Sequence, residues 1–97
     1  MNTTNEIEAI SKRASSDKII LYFGATFCGP CRAMTPTLDE VCKTINIIKI
    51  DTVECPDLSN QEEIRAIPTF IKYVKGVEVE RKVGAMSKEA LLNFYNS

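Results

Sequence analysis

The sequence predicts an α/β protein: a three-layer α/β/α sandwich around a central mixed four-stranded sheet, built by a single domain over residues 1–97. Three observations predict it. Two short apolar runs, at residues 18–23 and 45–51, lie either side of a stretch of helical length, as in a strand, crossover, parallel strand unit. Two alternating runs, at 69–75 and 77–83, are divided at Gly76 in the manner of an antiparallel hairpin. Helical patterns open and close the chain. The order helix, strand, helix, strand, helix, strand, strand, helix then calls for a right-handed crossover between the first two strands and a hairpin that completes the sheet.

Ile7, Ile10 and Ala14 are spaced three and four apart among polar residues, and Thr3 with Glu6 offers a capping box, so a first helix is expected over about residues 4–15. Ser16 and Asp17 end it. Residues 18–23 (KIILYF) are continuously apolar with β-branched and aromatic members, which suits a strand buried on both faces. The segment from Gly24 to Cys31 turns into a second helix, with Pro30 in the first turn, where a missing N–H costs nothing. Met34, Leu38, Val41, Cys42 and Ile45 supply its apolar face to about residue 44, and Pro36 inside it is expected to kink it. Residues 45–51 form the second buried strand, and a short helix is expected over 56–64. The hairpin follows. Ser87 is the N-cap of a closing helix to about residue 95, with Leu91, Leu92 and Tyr95 facing inward; Phe70, Tyr73 and Phe94 are further core candidates.

A chain of 97 residues has one domain's length and buries roughly 65% of its extended-chain surface on folding, enough for a core without many disulfides. Apolar residues at 44% and charged residues at 26% exclude a disordered chain. Twelve Lys and Arg against thirteen Asp and Glu leave a net charge of -1 and no basic field for nucleic acid or an anionic membrane. The first fourteen residues carry no basic start and apolar run of a secretory signal, and 45–50 is far short of the roughly 20 apolar residues that span a bilayer. A cytoplasmic monomer is expected, with neither nucleic acid nor membrane as a partner.

Cys28, Gly29, Pro30 and Cys31 lie where the first strand gives way to a helix, and open α/β sheets place their active sites at such strand ends. A cysteine at a helix N-terminus meets unpaired N–H groups that favour thiolate over thiol, so Cys28 is the expected nucleophile. Cys31, three residues on, is within reach for a disulfide and is the expected resolving thiol. Gly29 leaves Cys28 unshielded, and Pro30 restricts the loop.

Phe27-Cys28-Gly29-Pro30-Cys31, with Pro36, Ile67-Pro68-Thr69 and Lys82-Val83-Gly84-Ala85, resembles the thioredoxin family from about Ile7 to the C-terminus. The resemblance implies a thioredoxin-like fold and a protein-disulfide reductase. It implies disulfide-containing protein substrates, and a thioredoxin reductase or another dithiol donor to reset the pair. It further implies a cis bond at Ile67-Pro68 facing the cysteines, and a shallow apolar docking surface from Ala66, Ile67, Gly84 and Ala85 with Phe27 and Gly29. No cofactor and no metal ion is expected. Most family members carry a buried Asp on the strand before the cysteines, where Tyr22 stands here, and a partner Lys whose place is read as Ile47. Phe27 stands for the usual Trp and Gly24 for another bulky residue. A site that is electrically neutral beneath Cys31 is the expectation, with resolution that gains from raised pH.

Plainer readings stand beside these. Four cysteines could bind zinc, but Cys42 and Cys55 lack the close pairing of such sites. Cys42 reads as a core residue and Cys55 as a packed loop thiol. Tyr22 reads equally as a core aromatic, and Pro36 as a structural breaker. Lys72, Lys75, Arg81 and Lys82 interleave with Glu78 and Glu80 as a solvated strand face. The alternatives to a reductase are a binding subunit with an incidental dithiol, and a disulfide oxidase or isomerase, which differ in reduction potential.

Overall fold

The computed structural model describes residues Met1–Ser97. Its elements in chain order are α1 (Glu6–Ser15), β1 (Lys18–Gly24), α2 (Gly29–Ala33), α3 (Thr35–Val41), β2 (Ile47–Asp51), α4 (Pro56–Gln61), β3 (Thr69–Val74), β4 (Val77–Val83) and α5 (Lys88–Asn96). The strands form one four-stranded sheet in the order β2-β1-β3-β4, with β1 and β2 parallel and the other neighbours antiparallel. Alternate residues of β1 feed two separate cores. Ile20 and Tyr22 meet Cys31, Met34, Leu38, Val41, Phe70, Leu91 and Phe94 under α2, α3 and α5. Ile19, Leu21 and Phe23 meet Ala9, Ile48, Ile50, Leu58, Ile71 and Tyr73 under α1 and α4. A continuously apolar β1 is what two buried faces require, and the three layers follow from it.

The first helix begins differently from expectation. Its N-cap is Asn5, whose side chain accepts from the Glu8 N–H at 2.8 Å. Thr3 instead pairs in parallel with Lys49, and the Glu6 carboxylate accepts from the Leu58 N–H, so neither is free for a capping box. The inward face is Glu6, Ala9 and Arg13, at the helical spacing, with Arg13 paired to Glu62. Ile7 is 84% exposed and Ile10 40% exposed. Apolar periodicity misplaced the face because two of its three positions are polar groups bound to the region of α4.

The long second helix is two helices. Arg32 accepts no bond from Pro36, which has no N–H, and Met34 closes α2 by donating to Cys31 at 3.1 Å before α3 restarts with Pro36 in its first turn. Ile45 is buried, but it belongs to the turn after α3, and β2 starts at Ile47. Helix α4 stops at Gln61 because Glu63 turns left-handed at φ 56°, and Ile64 donates back to Ser59. The hairpin turns at Lys75 and Gly76, with φ 52° and 81°, a geometry that favours glycine. Ser87 caps α5 by accepting from Ala90 at 3.1 Å. Leu91 and Phe94 are its buried residues, while Leu92 and Tyr95 are only half-buried.

Lys72 does not lie on a solvated face. It is 4% exposed, and its Nζ donates to Phe94 O, Ser97 O and Ser97 Oγ, each at 2.9 Å, satisfying carbonyls at the end of α5. No helix is long and apolar enough to cross a membrane.

Candidate functional site

The end of β1 delivers the chain to the N-terminus of α2, where Cys28 is the N-cap in extended conformation. Its N–H donates to Ala25 O at 3.2 Å and its carbonyl accepts from Arg32 at 3.0 Å, which fixes the turn on both sides. Cys28 and Cys31 are joined as a disulfide with Cα atoms 5.1 Å apart, and the Cys31 N–H donates to Cys28 Sγ at 3.2 Å. The two sulfurs are not equivalent: Cys28 is half-buried, Cys31 is 5% exposed and part of the core. Gly29 and Pro30 are exposed, so neither shields Cys28.

The segment before β3 closes the other side. Ile67-Pro68 is a cis peptide bond, and Cys28 Sγ lies 3.9 Å from Ile67 O. The Thr69 hydroxyl donates to Ala66 O at 2.6 Å, and Gly84 donates to Pro68 O at 2.8 Å. Gly84 has φ 102°, a left-handed backbone that only glycine adopts without strain, so the close approach of β4's end to Pro68 depends on it. Cys28, Ile67, Pro68 and Gly84 are thus brought together. Ala66, Ala85 and Phe27 are exposed, Phe27 by 70%.

Beneath the pair stands Tyr22, fully buried, its ring tilted against Phe70 at 5.1 Å and its hydroxyl donating to Cys31 O at 3.4 Å. Burial pushes its phenol up to about 12, so it remains protonated throughout the neutral range. Gly24 makes that position possible: a Cβ there would stand 2.7 Å from the Tyr22 hydroxyl. The Tyr22 ring therefore occupies the space above Gly24, and the two departures read separately in the sequence are one packing arrangement.

Ile47 is not the β2 residue beside Tyr22. The parallel register sets Ile20 against Ile47, Tyr22 against Lys49 and Gly24 against Asp51, so a strand lysine is present two positions later than the sequence reading puts it. Tyr22, Gly24, Cys31, Lys49, Asp51 and Glu54 line a cavity of about 190 Å³, and the site beneath Cys31 is charged rather than neutral. Sequence reasoning missed Lys49 and Asp51. The available signal was the crossover itself, which lays the carboxyl ends of β1 and β2 side by side.

The remaining cysteines stand apart from this site. Cys42 closes α3 with its thiol donating to Asp39 O at 3.3 Å, and Cys55 is 2% exposed. Burial first, then Glu6, Glu54 and Asp51, pushes the Cys55 thiol up from its ordinary value. The four cysteines do not converge, and no group of three or more His, Cys, Asp or Glu is placed to hold a metal ion.

Comparison with known proteins agrees with this geometry. The family model described as thioredoxin matches residues 2–97. Thioredoxin Y1 of the Arabidopsis thaliana chloroplast is 41% identical over 83 residues, which cover 80% of this chain and 48% of that protein. The chain thus spans about half the length of this relative and of its Y2 counterpart. Thioredoxin 1 of Synechococcus elongatus is 36% identical over 83 residues, 81% of this chain and 78% of that one. Among solved structures, a thioredoxin of Plasmodium falciparum superposes with a TM-score of 0.87 at 31% identity, covering 97% of this chain and 94% of its own.

Proposed function

The chain belongs to the thioredoxin family, and on that premise we propose that it is a thiol–disulfide oxidoreductase that reduces protein disulfides by cycling Cys28 and Cys31 between dithiol and disulfide. The observation that carries this reading is the asymmetry of the pair: one sulfur half-buried at a helix cap, the other buried one turn in, with Cα atoms 5.1 Å apart.

In the reduced protein Cys28 is the nucleophile. Its thiolate attacks one sulfur of a substrate disulfide, forming an S–S bond to that sulfur while the other leaves as a thiolate and takes up a proton. Cys31 then loses its proton and attacks Cys28 Sγ. The bond between Cys28 and substrate breaks, the second substrate sulfur leaves with the electron pair, and the Cys28–Cys31 disulfide remains. The substrate has gained two electrons and the pair has lost two; a thioredoxin reductase or another dithiol donor returns them.

Donation from the Cys31 N–H to Cys28 Sγ supports the first step, because a hydrogen bond to the charged form favours thiolate. The exposed rim of Phe27, Gly29, Ala66 and Ala85, with half-buried Ile67 and Gly84 behind it, supports docking of an extended segment of a disulfide-containing protein through main-chain groups and small apolar contacts. Cys42 and Cys55 are free thiols, which supports a reducing compartment such as the cytoplasm.

Insulin reduction by dithiothreitol tests the reading. The protein should accelerate it, Cys28→Ser should abolish the acceleration, and Cys31→Ser should leave an insulin chain covalently attached through Cys28. Equal acceleration by Cys28→Ser would overturn it.

A further inference from the structure

Helix α1 buries Ala9 and turns its larger apolar residues the other way. Ile7, Ile10 and Ala14 lie three and four apart, so they form one stripe, and all three are exposed, Ile7 by 84%. An apolar stripe bounded by charge is what a helix offers to a partner. Its two ends differ. Ile7 protrudes at the first turn, whereas Ala14 at the last turn is small and has the hairpin turn against it, a Cβ at Gly76 standing 3.8 Å from Ala14 O. Charge is ordered the same way, with Glu6 and Glu8 in the first turn and Lys12 and Arg13 in the last. Glu6 and Arg13 are engaged with Leu58 and Glu62, which leaves Glu8 and Lys12, both about half exposed, on the outer flank. A helix with a bulky acidic end and a small basic end is complementary to itself run in reverse. The exposed valines of the edge strand β4 lack this property: the irregularity between Lys72 and Tyr73 leaves Val79 without a strand partner and sends Val77 and Val83 to opposite faces of the sheet.

We propose that α1 is a contact between two copies of this chain, packed antiparallel about a twofold axis at the level between Ile10 and Ser11. Ile7 of each copy then lies opposite Ala14 of the other, and Ile10 opposite Ser11, so the bulky end of one stripe fills the small end of its partner. The twofold axis keeps the outer flanks of both helices on the same side, which sets Glu8 of one copy within one residue of the level of Lys12 of the other, twice over. The pair within each helix, Glu8 with Lys12 at 3.1 Å, becomes half of a four-charge cluster. Parallel packing would instead set Glu8 against Glu8 and Lys12 against Lys12. A second copy is the occupant because it matches both ends of the charge order at once. A ten-residue helix is about 15 Å long, and so short a contact falls well below the about 800 Å² per partner of a standard interface. The association is therefore weak, with a Kd of about 0.1 to 1 mM. At micromolar concentration the chain is a monomer.

Sedimentation equilibrium of the full chain between about 0.05 and 2 mM measures the association, with a reductant present so that no intermolecular disulfide contributes. The mean mass should rise toward the dimer's across that range at about 20 mM salt, and the Kd should increase severalfold at about 0.5 M salt. In nitrogen-15 spectra, dilution should move the amide signals of α1 and of Gly76 and leave those of α3 and α5 in place. Ile7→Ser, at so exposed a position, should keep the fold and the insulin activity at micromolar concentration, yet weaken association at least about tenfold. Glu8→Lys and Lys12→Glu should each weaken it at least about fivefold, and an equimolar mixture of the two should associate as tightly as the wild type. A wild type that stays monomeric throughout overturns the proposal and leaves the stripe to a different protein. So does dilution that moves signals on another face, Ile7→Ser that associates as the wild type does, or a mixture no tighter than its components.

Discussion

Tyr22→Phe removes one oxygen from the centre of the fold and exposes what that oxygen does. Its only hydrogen bond, 3.4 Å to Cys31 O, is long, and that carbonyl also accepts from the Met34 N–H at 3.1 Å. At pH 7 the variant should therefore lie within about 1 kcal/mol of the wild type. Alkaline pH separates them. The buried phenol ionises near 12, against 10.0 for an unperturbed tyrosine. A folded pKa above the unfolded one contributes stability that is complete below pH 10 and is lost as pH rises through 12. Two units correspond to about 3 kcal/mol in all, roughly half of it gone by pH 11. Tyr73 is also raised by burial, but it is present in both proteins and cancels in the difference. Urea unfolding followed by circular dichroism at pH 8, 10 and 11 should show the wild type losing more stability than Tyr22→Phe, with the gap opening above pH 10. Parallel losses would refute the assignment of Tyr22 as a buried neutral phenol and reopen it as a proton acceptor.

Other parts of the structure carry their own predictions. Phe27→Ala should leave stability within about 0.5 kcal/mol, because the side chain is 70% exposed, yet lower kcat/KM for insulin severalfold while sparing the attack of Cys28 on the small disulfide 5,5′-dithiobis(2-nitrobenzoate); an equal change for both substrates would remove Phe27 from the docking face. Cys55 should resist iodoacetamide at pH 7 under conditions that modify Cys28 completely, since it is 2% exposed and its thiol is pushed up by burial, read by peptide mass spectrometry. Comparable modification of both would contradict the burial assigned to it. Lys72→Met should destabilise the fold by about 2 kcal/mol, with amide exchange accelerating first in α5, because the variant removes the Lys72 donor from Ser97 O and leaves Phe94 O with the Ser97 hydroxyl alone. Uniform exchange across the chain would deny the lysine that local role.

Strand β1 was legible at 18–23 because burial on two faces leaves a continuous apolar run, and exposed β4 at 77–83 because an alternating run bounded by Gly76 and Gly84 marks a hairpin strand. The pair at Cys28 and Cys31 was legible because its placement follows from the end of such a strand. What was not legible depends on partners distant in the chain. Glu6 and Arg13 face inward because Leu58 and Glu62 await them, and no local pattern announces that. Lys72 sits in an alternating strand like any exposed lysine, until α5 ends above it. The lysine beside Tyr22 was misplaced by two residues because register between parallel strands is set by the whole crossover rather than by either strand. The same register carries Asp51 to the cavity, so the least legible part of the site is the wall that β2 contributes.

Titration of Cys28 in the reduced protein tests the central claim most directly, by the pH dependence of its alkylation with limiting iodoacetamide. The account predicts a midpoint well below the about 8.5 of an unperturbed thiol, because the first-turn N–H of Cys31 stabilises the thiolate. A midpoint at or above that value would contradict it.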